Sequence, residues 1–325
     1  MDFSSIYKEY ETELRSVEQS LLSLFESDAT LIPTIGQYIV RGGGKRIRPL
    51  FLLASTDSFG YSGKDRIELA GIIEAIHTAS LVHDDVVDSA EKRRGQASAN
   101  SLWSNQIVVL MGDFLYSNAL KHAVDQKNQA IMEHLSRATT KMTEGELLQL
   151  SRVADPNISE DEYLNIIAGK TGALISAACS IGAIISGASD DQIEAFASFG
   201  MKTGMAFQMA DDILDYAAEE GALGKKLGKD LDEGKLTLPI IELLAAANNS
   251  EVMELKKIIG SEEFNGQEGL DKVFDLFDKY DTINKSMEKA ASLIDEAKSA
   301  LQNMNGNINL DVLCSLADFA LTRSK

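Results

Sequence analysis

The sequence predicts an all-α protein, and three observations lead there. Four prolines and 6% aromatic residues in 325 positions, with abundant Ala, Leu, Ile, Glu and Lys, favour helices over short strands joined by turns. Apolar residues recur at helical spacing along most of the chain. Helix-start signals precede several of these stretches, as in Ser159-Glu160-Asp161-Glu162 and Ser189-Asp190-Asp191-Gln192. No shift of composition marks a linker, so residues 1–325 are expected to form a single domain.

Charge and cysteine content narrow the function. A formal net charge of −19 argues against nucleic acid or an anionic membrane surface as a partner, so an anionic substrate would need a local basic site or a metal ion. Cys179 and Cys314 stand in apolar contexts without CxxC spacing, which suits a reducing interior and no thiolate metal site. The first residues carry no basic segment followed by an apolar run, so no signal peptide is expected. The uncharged stretch from Thr171 to Ser189 is interrupted by serines and glycines, and is expected to be a buried core helix rather than a transmembrane one.

In chain order, residues 2–26 read as one peripheral amphipathic helix, followed by a second helix ending at Tyr38-Ile39-Val40. Arg41-Gly42-Gly43-Gly44-Lys45-Arg46-Ile47-Arg48-Pro49 then sets three glycines and four cations in nine residues, either an anion site or a basic surface turn. Pro49 opens an apolar helix to about Ser58. Residues 65–88 read as one long helix bearing Ile72, Ile73, Ile76, Leu81 and Val82, and it ends in His83-Asp84-Asp85-Val86-Val87-Asp88. The loop Ser89 to Gly95 carries Arg93 and Arg94. A helix from Trp103 to about Lys121 is apolar nearly all round and is the candidate dimer helix. Residues 128–152 form a further helix. Next come one helix bearing Gly169-Lys170-Thr171-Gly172 and another bearing Gln208 and Ala210-Asp211-Asp212-Ile213-Leu214-Asp215. Tyr216 to Gly234 reads as a lysine-rich loop that could grip phosphates or simply be solvated. Helices fill the rest, with a turn at Asn303 to Asn309.

The duplicated acidic pattern is the strongest chemical signal. Residues four apart on a helix lie only about 40° apart around its axis, so Asp84 pairs with Asp88 and Asp211 with Asp215. Like charges at that spacing repel, so something positive must offset them. A single cluster is most simply a solvated helix end; two clusters, each with basic neighbours, point instead to Mg²⁺ held by hard oxygen ligands and substrate phosphates. Ser80, His77 and Ile73 share the direction of Asp84, and this stripe is either core or one wall of an apolar tunnel.

GGGKRIRP, HDDVVDxxxxRRG, GKTG and FQMADDILD with its lysine loop resemble, in order, the trans-isoprenyl diphosphate synthase (polyprenyl synthetase) family. The likeness spans about residues 36–240; residues 241–325 would be C-terminal helices of the same domain. It implies a bundle of mostly antiparallel helices around a deep central cavity, usually in a homodimer, with the two acidic motifs facing each other across the mouth. By that resemblance Asp84, Asp85, Asp88, Asp211, Asp212 and Asp215 surround a cluster of Mg²⁺, three ions with substrate bound. Arg93, Lys170, Lys226 and Lys235 resemble the residues that hold an allylic diphosphate, with Lys225 the alternative to Lys226. Lys45, Arg48, His77 and Arg94 resemble the pocket for isopentenyl diphosphate. Thr171 and Gln208, with the carbonyl of Lys170, resemble the group that faces the carbocation.

The resemblance further implies that a bulky residue four or five positions before the first motif stops chain growth. Ala79 and Ser80 stand there, so a long product of about C30 to C50 is expected, limited by Ile76, Ile73 and residues of the Trp103 to Lys121 helix. A cytoplasmic enzyme with transient membrane contact at product release fits this reading. The alternatives are a short-chain farnesyl or geranylgeranyl synthase, a terpene cyclase, and a non-catalytic subunit of a heteromeric synthase. A cyclase would not need GGGKRIRP, and a non-catalytic subunit would not need both acid motifs.

Overall fold

A computed structural model describes residues 1–217, 227–260, 267–302, 304 and 308–322. Its helices are α1 (Phe3–Glu9), α2 (Glu11–Ser23), α3 (Leu31–Arg41), α4 (Ile47–Ser58), α5 (Asp65–Val87), α6 (Ala99–Leu102), α7 (Asn105–Asp125) and α8 (Gln129–Ser151). The second half holds α9 (Glu160–Ile167), α10 (Ala173–Ile185), α11 (Asp190–Ala217), α12 (Lys229–Asp232), α13 (Leu238–Ala246), α14 (Asn249–Gly260), α15 (Gln267–Tyr280), α16 (Thr282–Gln302) and α17 (Asp311–Thr322). The expected all-α class holds.

Contacts divide the chain into two compact units. One comprises Met1–Thr139, Ala177–Ala197 and Met304–Ser315; the other comprises the described residues of 140–176, 198–303 and 316–325. Each is assembled from separate segments, so no linker exists for composition to mark.

In the first unit α5 packs against α2, α4 and α7. Twelve of its residues, including Leu69, Ile72, Ile73, Ile76, Ala79 and Val82, are buried, which is why no polar stripe separates from an apolar one. In the second unit α13 packs against α9, α15 and α16.

Four expectations need correction. The N-terminal helix is interrupted at Tyr10, whose ring is buried, although Tyr10 N–H still donates to Ile6 O at 3.1 Å and Leu14 N–H to Tyr10 O at 2.8 Å. The dimer-helix candidate starts at Asn105, not Trp103, because Ser104 caps it and Trp103 is extended with its ring edge-on to Tyr38. The segment after the first acidic motif is not a plain loop. Lys92–Arg93 pairs antiparallel with Gln96–Ala97, and Arg94 (φ 51°) and Gly95 (φ 78°) between them are both left-handed, the geometry of a tight hairpin turn. Finally, α11 continues to Ala217 and the short α12 lies within the expected loop, while residues 218–226, Lys225 and Lys226 among them, lie outside the described residues.

Candidate active site

In the first unit, the hairpin turn sends two adjacent arginines in different directions. Arg93 Nε donates to Asp85 Oδ1 at 2.5 Å, and Asn100 Nδ2 donates to Asp85 O at 2.9 Å. Asp85 is buried, which raises its pKa, while Arg93 pulls it down. Its carboxyl therefore orients an arginine. Asp84 and Asp88 lie one turn apart in the last turn of α5, and Asp88 N–H donates to Asp84 O at 2.8 Å. Arg94 reaches the glycine run instead. Gly44, at φ +147°, adopts a backbone conformation that favours glycine, and a Cβ there would sit 2.6 Å from Arg94 Nη1.

The basic segment sorts itself by burial. Arg46, 4% exposed, bonds Glu74 Oε1 at 3.0 Å and Glu18 Oε1 at 3.1 Å, and belongs to the fold. Counting it among cations that converge on an anion is thus corrected: a paired, buried guanidinium has nothing left to offer. Lys45 is exposed with its ammonium 5.8 Å from the Phe3 ring centre. Arg48 is half-buried at the start of α4. His77 is held well below the usual imidazole range by burial and then by Arg48, Arg94, Arg93 and Arg46, which also identifies these groups as its electrostatic neighbours. Four predicted residues, Lys45, Arg48, His77 and Arg94, thus share the α4–α5–hairpin region. Ser80 Oγ donates to His77 O at 2.8 Å, and Ala79, Ile76 and Ile73 are buried on the same helix.

In the second unit, α9 begins with the expected capping box, Ser159 with Glu162, and runs directly into a π-helical turn, Ala168–Gly172. Such a bulge re-aims side chains and often marks a functional position. It projects Lys170 and Thr171. Lys170 Nζ donates to Gln149 Oε1 at 2.7 Å and approaches Glu146 Oε2 at 2.9 Å, two α8 residues that the sequence reading did not single out. No spacing along the chain sets them opposite the lysine; the packing of α8 on the π turn does. The backbones meet closely here: a Cβ on Gly145 would lie 2.9 Å from Lys170 N, and one on Gly169 2.6 Å from Lys141 O.

Thr171 Oγ1 donates to Gln208 Oε1 at 2.7 Å, and Gln208 Nε2 donates to Asp212 Oδ1 at 2.9 Å. Tyr163, also unremarked from sequence, donates its phenol to Asp212 Oδ2 at 2.7 Å. Burial pushes Asp212 up to about 8, against the lowering effect of these two donors. Asp211 and Asp215 are half-buried, and Asp215 Oδ2 accepts from Asp230 N–H at 2.8 Å, which ties the third acid of the motif to the start of α12. Lys235 is engaged with Glu233 Oε2 at 2.7 Å.

Among the described residues, no three acidic, His or Cys side chains converge into a ready-made cation cage. Each motif offers oxygen donors in pairs, which fits a hard divalent ion completed by substrate phosphates and water rather than an all-protein cage.

The sequence profile of the polyprenyl synthetase family matches residues 29–277. A Haemophilus influenzae protein named octaprenyl diphosphate synthase is 36% identical over 324 residues, covering 100% of this chain and 98% of its own length. The crystal structure of a decaprenyl diphosphate synthase from Rhodobacter capsulatus superposes with a TM-score of 0.91 at 36% identity, over 99% of each chain. A Caulobacter crescentus polyprenyl synthase, solved with calcium and isoprenyl diphosphate, gives 0.89 at 35% identity, over 98% of this chain and 97% of that one.

Proposed function

The chain belongs to the polyprenyl synthetase family, and we propose that it is an all-trans polyprenyl diphosphate synthase that condenses isopentenyl diphosphate with farnesyl or geranylgeranyl diphosphate. The observation that carries this reading is the full-length similarity to long-chain synthases in a chain that keeps both acidic motifs and both basic groups.

The reaction breaks the C1–O bond of the allylic diphosphate, and the bonding pair leaves with diphosphate. The isopentenyl double bond supplies the pair for the new carbon–carbon bond, and the released diphosphate takes the final proton. Mg²⁺, three ions in the full complex, would stabilise the departing charge as a Lewis acid. Asp84, Asp88, Asp211 and Asp215 supply carboxylate oxygens for it. Arg93, Lys170, Lys226 and Lys235 bind the allylic diphosphate, while Lys45, Arg48, His77 and Arg94 bind the isopentenyl one. A neutral His77 among guanidiniums adds a hydrogen bond without adding charge. Thr171, Gln208 and the Lys170 carbonyl face the cation with dipoles that cannot attack it.

Ala79 and Ser80 carry too little bulk to end chain growth, which favours C30 to C50 over a short product. Ala79→Phe should shorten the product on chromatography, and an unchanged length would refute the open path. With Mg²⁺, an allylic primer and isopentenyl diphosphate, purified protein should release diphosphate and a longer prenyl product; neither appearing would overturn the assignment.

The reading includes a homodimer, supported by Val109 and Leu110 of α7, 38% and 65% exposed. It also includes a cytoplasmic setting, supported by cysteines in no disulfide. One helical stretch, Glu160–Ile185, is long and apolar enough to cross a membrane, but 83% of its apolar window is buried, which supports a core role.

A further inference from the structure

The geometry points to Tyr163 as a positioning residue that, through Asp212 and Gln208, fixes Thr171 as an internal donor and leaves its oxygen lone pairs for the carbocation. This rests on the reaction proposed above.

The argument is one of donors and acceptors. Tyr163 is 2% exposed, and its single polar hydrogen is aimed at Asp212. With Oδ2 of Asp212 taken at 2.7 Å, Oδ1 lies 2.9 Å from Gln208 Nε2. Gln208 turns its amide nitrogen towards Asp212 Oδ1, which accepts, and its oxygen the other way. That oxygen lies 2.7 Å from Thr171 Oγ1. The threonine's single proton is then committed to Gln208, and its hydroxyl can present only electron density elsewhere. A cation needs that polarity; the reverse would aim a proton at it.

The elements suit the task. Tyr163 sits in the second turn of a helix whose start is locked by a capping box, and the same run of backbone becomes the π turn that carries Thr171. One rigid stretch thus holds both ends of the chain of bonds, and α11 supplies the middle. Asp212 is 6% exposed, in keeping with a carboxyl that serves the protein's interior.

Tyr163→Phe keeps the ring and deletes only the donor. It should lower kcat about 10–100-fold, as loss of an outer partner commonly does, with the KM for isopentenyl diphosphate unchanged. In full-length, metal-free protein labelled with ¹⁵N-glutamine, the Gln208 side-chain amide signal should move or broaden in the variant. Loss of kcat with that signal unmoved, or a moved signal with kcat retained, would overturn the proposal. Should the variant fold poorly, the isosteric Asp212→Asn carries the same pair of readouts. The double variant should be no worse than the more damaged single; additive losses would show that Tyr163 does not act through Asp212. A wild-type chain inactive with both diphosphates would sink the reaction assignment, whereas the amide signal would still test the network.

Discussion

At Arg46 the sequence offers one more cation beside glycines, yet its side chain is 3% exposed and paired with an equally buried Glu74. Removing one partner of such a pair commonly costs about 3–5 kcal/mol, because the other charge stays buried alone. Arg48, two residues on, is half-buried and is one of the guanidiniums whose charge acts on His77. The His77 pKa falls below the ordinary 6.5, mainly through burial and then through the surrounding guanidiniums. Below that pH the unfolded chain takes up a proton that the folded one refuses, so stability is full above about 6.5 and declines as pH falls. Urea unfolding of wild type between pH 5 and 7.5 should show this slope, and His77→Gln should flatten it. An identical slope in the variant would mean that His77 is charged in the native state.

The elements position chemistry by where they approach and where they bulge. α8 meets the π turn at Gly145 and Gly169, and this closeness lets Gln149 and Glu146 hold Lys170. Gly145→Ala would gain about 1 kcal/mol of helix propensity, but overpacking against backbone commonly costs about 1–3 kcal/mol. A net loss is expected, seen as a lower melting temperature, with activity falling further than stability explains because Lys170 N moves. Full activity and an unchanged melting point would refute this. The hairpin is the counterpart in the other unit: with Arg94 and Gly95 both left-handed, neighbouring arginines serve Asp85 and the glycine run separately.

At the scale of the molecule, α7 keeps Val109 and Leu110 on its surface although neighbours such as Val108 and Met111 are buried. An apolar pair on an otherwise core-forming helix is economically explained by a second copy of the chain. Leu110→Lys should shift the protein towards monomer in light scattering coupled to size exclusion, while a wild type already monomeric would count against the homodimer. Cys179, fully buried with its thiol pushed up to about 12, should resist alkylation until the protein unfolds.

The sequence by itself determined the all-helical class, the long helix ending in Asp84 to Asp88, both capping boxes, and the residue types of the site. These are local matters: propensity, period and the spacing of like charges are written along the chain. Only the tertiary structure decided that Arg46 is structural, that Arg93 belongs to Asp85, that Gln149 and Glu146 hold Lys170, and that Tyr163 anchors Asp212. Each of those pairings joins residues from separate helices or from a helix and a turn. Hydrogen-bond direction and burial depend on which elements pack together, and no one-dimensional pattern carries that.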